Sequence, residues 1–145
     1  LGNICRSPLA EAAFRAEAER RGLAVTLDSA GTGAWHVGEK PDARARATAR
    51  RHGIDIDRLR ARQVARDDFR RFDAILAMDA QNLADLERLA PKDATARLFL
   101  LLDFVAGREG ESVGDPYYGG PEGFERTWDE VTAGARGFFD RLARD

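Results

Sequence analysis

Residues 1–8 read Leu-Gly-Asn-Ile-Cys-Arg-Ser-Pro, and the rest of the chain is organised around them. They form a glycine-containing loop that runs into a predicted helix, with Ser7 as its N-cap and Pro8 as its first residue. Such a junction points several backbone N–H groups at one spot, and the guanidinium of Arg6 beside it suits a phosphate. The stretch therefore predicts an anion site. An ordinary capped helix with a solvated arginine explains the same residues equally well.

The stretch resembles the phosphate-binding loop of the low-molecular-weight protein tyrosine phosphatases. In that family the loop reads Cys-x5-Arg-Ser/Thr, and the cysteine is the nucleophile. Arg6 and Ser7 match the end of the motif, and its five middle positions are Leu1, Gly2, Asn3, Ile4 and Cys5. The resemblance places the nucleophile immediately before Leu1, so we expect an apolar strand ending in cysteine upstream. The competing explanation is a variant that has lost its chemistry.

A second motif, Asp115-Pro116-Tyr117-Tyr118-Gly119-Gly120, lies near the other end of the chain. An aspartate held by a following proline in a glycine-rich loop is often only turn chemistry. Beside an anion loop, its carboxyl group can instead deliver a proton to a leaving oxygen. The motif resembles the family's general-acid loop, in which the aspartate protonates the departing phenolate and then activates water. Two matching motifs in the right order are the strongest indication of function in the sequence.

The resemblance implies roles for the remaining site residues. Arg6 and the amides of residues 2–6 hold the phosphate oxygens, and the Ser7 hydroxyl helps to lower the pKa of the nucleophilic thiol. Trp35 and Tyr117 form the walls of a deep slot for phosphotyrosine, Leu1 and Ile4 line its lower part, and Tyr118 is a candidate phosphorylation site. Alternatively, these aromatic side chains simply pack on neighbouring loops.

Three further positions are compared with the family pattern. Cys5 is either the redox partner of the nucleophile or a small buried side chain that lines the loop. Asn3 is expected in a left-handed conformation, braced by Ser29 and by a histidine whose place falls near Leu59, so this brace is incomplete. Asp79 matches a family position, and a plain helix cap explains it equally well.

Helical and strand patterns alternate along the chain. Helices are predicted at residues 8–21, 42–52, 79–89 and 121–144, and strands at 24–28, 74–78 and 96–102. This alternation is typical of a parallel sheet with helices on both sides. The expected fold is a three-layer αβα domain with a four-stranded parallel sheet, whose first, central strand lies upstream of Leu1. Residues 1–145 are then one phosphatase domain without its N-terminal strand.

Composition limits the partners and the location. The chain has 145 residues, a net charge of −2 and one cysteine. These values indicate a single domain, argue against nucleic-acid binding, and fit a reducing cytoplasm. The arginine-rich span 44–71 is interleaved with aspartates and is interpreted as a solvated face. No long apolar run indicates a membrane segment, and the spacing of His36 and His52 supports neither a metal nor another cofactor.

Three functions remain open at this point. The leading one is a hydrolase that dephosphorylates phosphotyrosine-containing proteins or aryl phosphates, with inorganic phosphate or another oxyanion bound in the loop. The second is an arsenate reductase of the same fold, whose electron relay needs cysteines besides Cys5 that the 145 residues do not contain. The third is a phosphate- or phosphopeptide-binding module without a nucleophile.

Overall fold

The computed structural model describes residues 5–34, 36–117 and 119–144. Six of the predicted site residues therefore lie outside the described part: Leu1, Gly2, Asn3, Ile4, Trp35 and Tyr118. The helices are α1 Arg6–Arg21, α2 Ala43–Arg51, α3 Asp68–Arg71, α4 Ala80–Leu89 and α5 Pro121–Arg144. The strands are β1 Ala74–Ala77 and β2 Arg97–Leu100, and a 3-10 turn, Leu101–Phe104, follows β2.

The two strands pair in parallel, as the alternation of helices and strands predicted. Ala74 lies opposite Arg97 and Ala77 opposite Leu100, with α4 as the crossover between them. The chain is thus an α/β protein with helices packed on a parallel sheet. In the described residues the sheet has two strands rather than four.

Two strand predictions differ from the structure. Residues 24–28 form no ladder with β1 or β2, because a cavity of about 180 Å³ lies between residues 26–32 and residues 74–78. The predicted strand 96–102 ends at Leu100, because Leu101 and Leu102 turn into the 3-10 segment and are fully buried against the helices.

The core that supports the site lies between α1 and α5. Phe14 of α1 contacts Phe138 and Phe139 of α5, with ring centroids 5.7 Å apart in both pairs. Gly134 and Gly137 let α5 approach the 3-10 turn closely: a Cβ at Gly137 would stand 1.8 Å from the carbonyl oxygen of Phe104. This packing fixes the start of α1, where the first motif ends.

Candidate active site

The junction at the start of α1 is close to its predicted form. α1 begins at Arg6, and its N-cap is Cys5, whose side chain makes no capping hydrogen bond. Ser7 is therefore inside the first turn, half-buried, and is not the N-cap that the sequence predicted. Its side chain lines the cavity next to Glu11 and Ser29.

Arg6 is almost fully buried, with 5% of its side chain exposed. Its Nη2 lies 2.9 Å from Oδ2 of Asp79, and its Nη1 donates a hydrogen bond of 2.8 Å to the carbonyl oxygen of Val113. A buried charge is stable only when it is paired and hydrogen-bonded, and both partners come from distant parts of the chain. The guanidinium is thereby fixed where the end of β1 meets the segment that leads to Asp115.

Asp79 has both of the roles that the sequence left open. It is the N-cap of α4, where its Oδ1 accepts a hydrogen bond of 2.7 Å from the backbone N–H of Asn82. Its other oxygen pairs with Arg6. The residue before it, Met78, accepts a hydrogen bond of 2.8 Å from the N–H of Val113. Met78 and Asp79, directly after β1, therefore contact the segments that carry the two motifs. The carboxyl ends of parallel strands are where ligand sites are expected in such sheets.

Asp115 lies two residues beyond this contact and is exposed to solvent. Its Oδ1 accepts a hydrogen bond of 3.0 Å from the N–H of Tyr117, which closes an Asx turn over Pro116. The Thr127 hydroxyl lies 3.5 Å from the carbonyl oxygen of Gly114 and anchors the loop to α5. The bonds of Val113 to Arg6 and to Met78 therefore bring the first motif and the segment that leads to Asp115 to the same end of β1.

The Cys5 thiol lies within electrostatic range of the Asp115 loop. Burial, which is the largest cause, and the carboxylates of Asp42 and Asp115 together raise the pKa of Cys5 to about 12. The Arg44 guanidinium acts in the opposite direction and does not reverse the shift. A thiol with this pKa is neutral at physiological pH, so Cys5 is not itself a nucleophile.

The sequence did not identify Asp42 and Arg44 as part of the site. Asp42 was predicted only as the start of the helix at residues 42–52, and Arg44 only as part of a solvated arginine-rich face. Asp42 does cap α2, accepting from the N–H of Arg44 at 2.8 Å. The Arg44 side chain, however, turns toward the general-acid loop and lies 5.5 Å from the ring centroid of Tyr117. The spacing Asp-x-Arg at a helix start is the only sequence signal for this contact.

The predicted brace involves Asn3, which lies outside the described residues. The Ser29 hydroxyl donates a hydrogen bond of 2.8 Å to Oε1 of Glu11, a buried carboxylate of α1. Leu59, near which the family's histidine was expected to fall, packs against the main hydrophobic core.

The two histidines lie beside surface glutamates. His36 Nδ1 lies 3.0 Å from Glu39, and His52 Nε2 lies 3.0 Å from Glu125 while its ring stacks on Trp128. Over residues 5–34, 36–117 and 119–144, no group of three or more His, Cys, Asp or Glu side chains could hold a metal ion. None of the helices in these same ranges is long and apolar enough to cross a membrane.

Comparison with known proteins identifies the family. The sequence profile described as low molecular weight phosphotyrosine protein phosphatase matches residues 1–145. The chain belongs to this family. A phosphatase of that name from Schizosaccharomyces pombe is 42% identical over 146 residues, which cover 99% of this chain and 93% of the relative.

Solved structures of phosphatases share the fold. The protein tyrosine phosphatase of Entamoeba histolytica, crystallised with Hepes in the active site, has a TM-score of 0.93 at 36% identity and covers 99% of this chain and 93% of its own. Vibrio vulnificus Wzb, solved in complex with benzylphosphonate, has a TM-score of 0.83 at 25% identity, with 97% and 93% covered. The family predicted from the two motifs is confirmed, and membership in a phosphatase family implies a phosphorylated substrate.

Proposed function

We propose that this chain is the catalytic domain of a protein-tyrosine phosphatase that hydrolyses phosphotyrosine through a cysteinyl-phosphate intermediate. The observation that supports this most strongly is the buried Arg6, bonded to Asp79 and to the carbonyl of Val113 two residues before Asp115. These contacts support a site in which an oxyanion-binding cation and a general acid act together.

The nucleophile in this proposal is a cysteine immediately before Leu1. The raised pKa of Cys5 keeps its thiol neutral, so we assign the role of nucleophile to another residue. We further propose that this cysteine ends a strand lying between β1 and residues 26–32. That strand would account for the cavity there and would complete, with residues 24–28, the four-stranded parallel sheet of a three-layer αβα domain.

The reaction has two steps. In the first, the thiolate attacks phosphorus, an S–P bond forms, and the ester P–O bond breaks while Asp115 gives its proton to the leaving phenolate oxygen. Arg6 and the amides of residues 2–6 hold the equatorial oxygens, and Ser7 stabilises the thiolate. In the second, Asp115 takes a proton from water, which attacks phosphorus and releases inorganic phosphate and the thiolate.

Substrate choice is assigned to a slot above the phosphate loop. Its proposed walls are Trp35 and Tyr117, its proposed lower lining is Leu1 and Ile4, and Tyr118 is a candidate phosphorylation site. Tyr117 is half-buried and packs against the main core, which supports a fixed wall. A deep slot of this kind admits phosphotyrosine proteins and aryl phosphates, while phosphoserine is too short. Cytoplasmic location, and the exclusion of nucleic acids and membranes as partners, stay predictions from composition.

Hydrolysis of p-nitrophenyl phosphate tests the proposal. The full-length protein should turn it over, and Asp115→Asn should lower kcat/KM by about 10²–10⁴-fold, the usual contribution of a general acid. Asp129→Asn, which changes an exposed carboxylate of α5, is the matched control and should keep the activity. Tight phosphate binding without turnover would instead establish the binding module, and arsenate-dependent oxidation of thiols would establish the reductase.

The identity of the residue before Leu1 tests the mechanism separately. Sequencing the gene upstream of the Leu1 codon, with an intact mass of the expressed protein, should reveal a cysteine there at the end of an apolar run. Any other residue would overturn covalent catalysis by this chain, whatever its affinity for phosphate.

A further inference from the structure

Arg44 is held rigidly by its neighbour Asp42. The Nε and Nη2 atoms of Arg44 each lie 3.0 Å from a different carboxylate oxygen of Asp42, a two-pronged contact in addition to the cap on the backbone. A bidentate pair of this kind fixes the plane of the guanidinium as well as its position. Because Asp42 is the N-cap of α2, the pair is attached to a helix and not to a flexible loop.

The fixed guanidinium contacts both ends of the general-acid loop. Its Cζ atom lies 5.5 Å from the ring centroid of Tyr117 and 4.8 Å from that of Phe124, which is fully buried at the start of α5. Its Nη1 points to the carbonyl oxygen of Gly119 at 3.4 Å. Arg44 therefore spans from Tyr117, which follows the Asp115–Pro116 pair, to Gly119, two residues before α5 begins.

Beyond Asp115, the loop is attached through Tyr117, which packs against the main core. Gly119 donates to the carbonyl of Pro116 at 3.0 Å, which is a bond within the loop itself. Asp115 and Gly119 are both exposed. A cation held over an aromatic ring is attracted to the face of the ring, which favours one position of the loop over others.

We propose that Arg44, oriented by Asp42, is a positioning residue that fixes the Asp115 loop so that the carboxyl group reaches the leaving-group oxygen. This inference rests on the proposed phosphatase function and adds to it a residue outside both motifs. Arg44 touches neither phosphate nor leaving group in this role; it acts through Tyr117 and the backbone of Gly119.

A purely structural role would join α2 to α5 without affecting proton transfer. The chain offers a matched residue for that comparison. Arg51, also on α2, bridges to α5 through Glu125 at 2.8 Å and is similarly exposed, but within the described residues none of its hydrogen bonds or ion pairs reaches the general-acid loop. Replacing Arg51 therefore tests only the loss of an arginine bridge between α2 and α5.

The experiment compares kcat/KM for phenyl phosphate, a poor leaving group, with that for p-nitrophenyl phosphate, a good one. Arg44→Met should lower kcat/KM for phenyl phosphate roughly tenfold more than for p-nitrophenyl phosphate, because the poorer leaving group depends more strongly on the proton from Asp115. Arg51→Met should leave the ratio of the two values unchanged. In an Asp115→Asn background, Arg44→Met should have no further effect on the ratio.

The outcomes separate this inference from the function on which it rests. If the wild-type protein hydrolyses both esters and Arg44→Met leaves their ratio unchanged, the positioning role is wrong and the phosphatase function stands. If the wild-type protein hydrolyses neither, the phosphatase function itself is wrong. If the Arg44→Met variant does not fold, Arg44→Lys takes its place, because lysine keeps the charge and loses the bidentate contact with Asp42. The ratio of kcat/KM for phenyl phosphate to that for p-nitrophenyl phosphate must then fall in Arg44→Lys as well.

Discussion

Arg6 and Val113 are joined by a hydrogen bond of 2.8 Å from a guanidinium nitrogen to a backbone carbonyl, across 107 positions of the chain. This bond, with the ion pair to Asp79, places the cation of the first motif beside the loop of the second. Since Asp115 follows Val113 by two residues, we expect the position of this proposed general acid to depend on the contacts of Arg6.

Arg6→Lys should lower kcat/KM for aryl phosphates by about 10²–10³-fold, because an ammonium cannot bond Asp79, Val113 and two phosphate oxygens together. Steady-state kinetics measure this. Arg20→Lys is the control: Arg20 is an exposed arginine of the same helix, paired with Glu17, and its replacement should keep the activity. Equal activity of the two variants would contradict the assigned role of Arg6.

Asp79→Asn separates the two roles of Asp79. Asparagine caps a helix about as well as aspartate, so α4 should persist, while the buried charge of Arg6 loses its partner. We expect the free energy of unfolding to fall by about 2 kcal/mol and kcat/KM to fall tenfold or more. Denaturant titration and kinetics give the two values. Asp85→Asn, which removes a carboxylate of α4 paired with Arg88, should leave kcat/KM unchanged.

Cys5 should resist alkylation. Burial, followed by the charges of Asp42 and Asp115, raises its pKa to about 12, so the thiol stays protonated from pH 6 to pH 9. Iodoacetamide at pH 7.5, followed by peptide mass mapping, should label Cys5 only after denaturation. The proposed cysteine before Leu1 should react in the folded protein. Rapid labelling of Cys5 in the native state would contradict the assignment of a neutral, structural thiol.

Asp68 should make stability depend on pH. Burial alone would raise its pKa, but hydrogen bonds from Arg62 and from the N–H of Ala65 outweigh burial and lower it. A lowered pKa stabilises the fold above the ordinary carboxylate pKa near 4, and this stabilisation is lost as the pH falls through the native value. Asp68→Asn should therefore lower the free energy of unfolding by about 2 kcal/mol at pH 7 and by progressively less below pH 4, as measured by urea titration. A difference between variant and wild type that does not decrease in acid would contradict this prediction.

Gly137→Ala should destabilise the protein by about 2 kcal/mol or more, because the new Cβ would stand 1.8 Å from the backbone oxygen of Phe104. Thermal or urea unfolding measures the loss. Gly123→Ala in the same helix has its nearest neighbour at 3.6 Å, an ordinary contact, and should stay within about 1 kcal/mol of the wild type. Equal stability of both variants would mean that α5 shifts freely against the 3-10 turn.

The sequence alone determined the family and the α/β class, and it predicted Arg6 and Asp115 as site residues. Helix and strand patterns depend on local spacing, and motif residues are identified by their side chains, so both can be predicted before any contact is known. The helices at residues 42–52 and 79–89 and the strand at 74–78 were found within one or two positions for this reason.

Only the tertiary structure decided which groups hold those residues in place. The carbonyl of Val113 has no sequence signature, because every residue has one. The pairing of Asp79 with Arg6, and the stacking of Arg44 on Tyr117, depend on how helices far apart in sequence pack. Local propensity carries no information about such distances. The motifs therefore predicted the type of reaction, and the packing of α1, α2 and α5 determined the relative positions of the side chains.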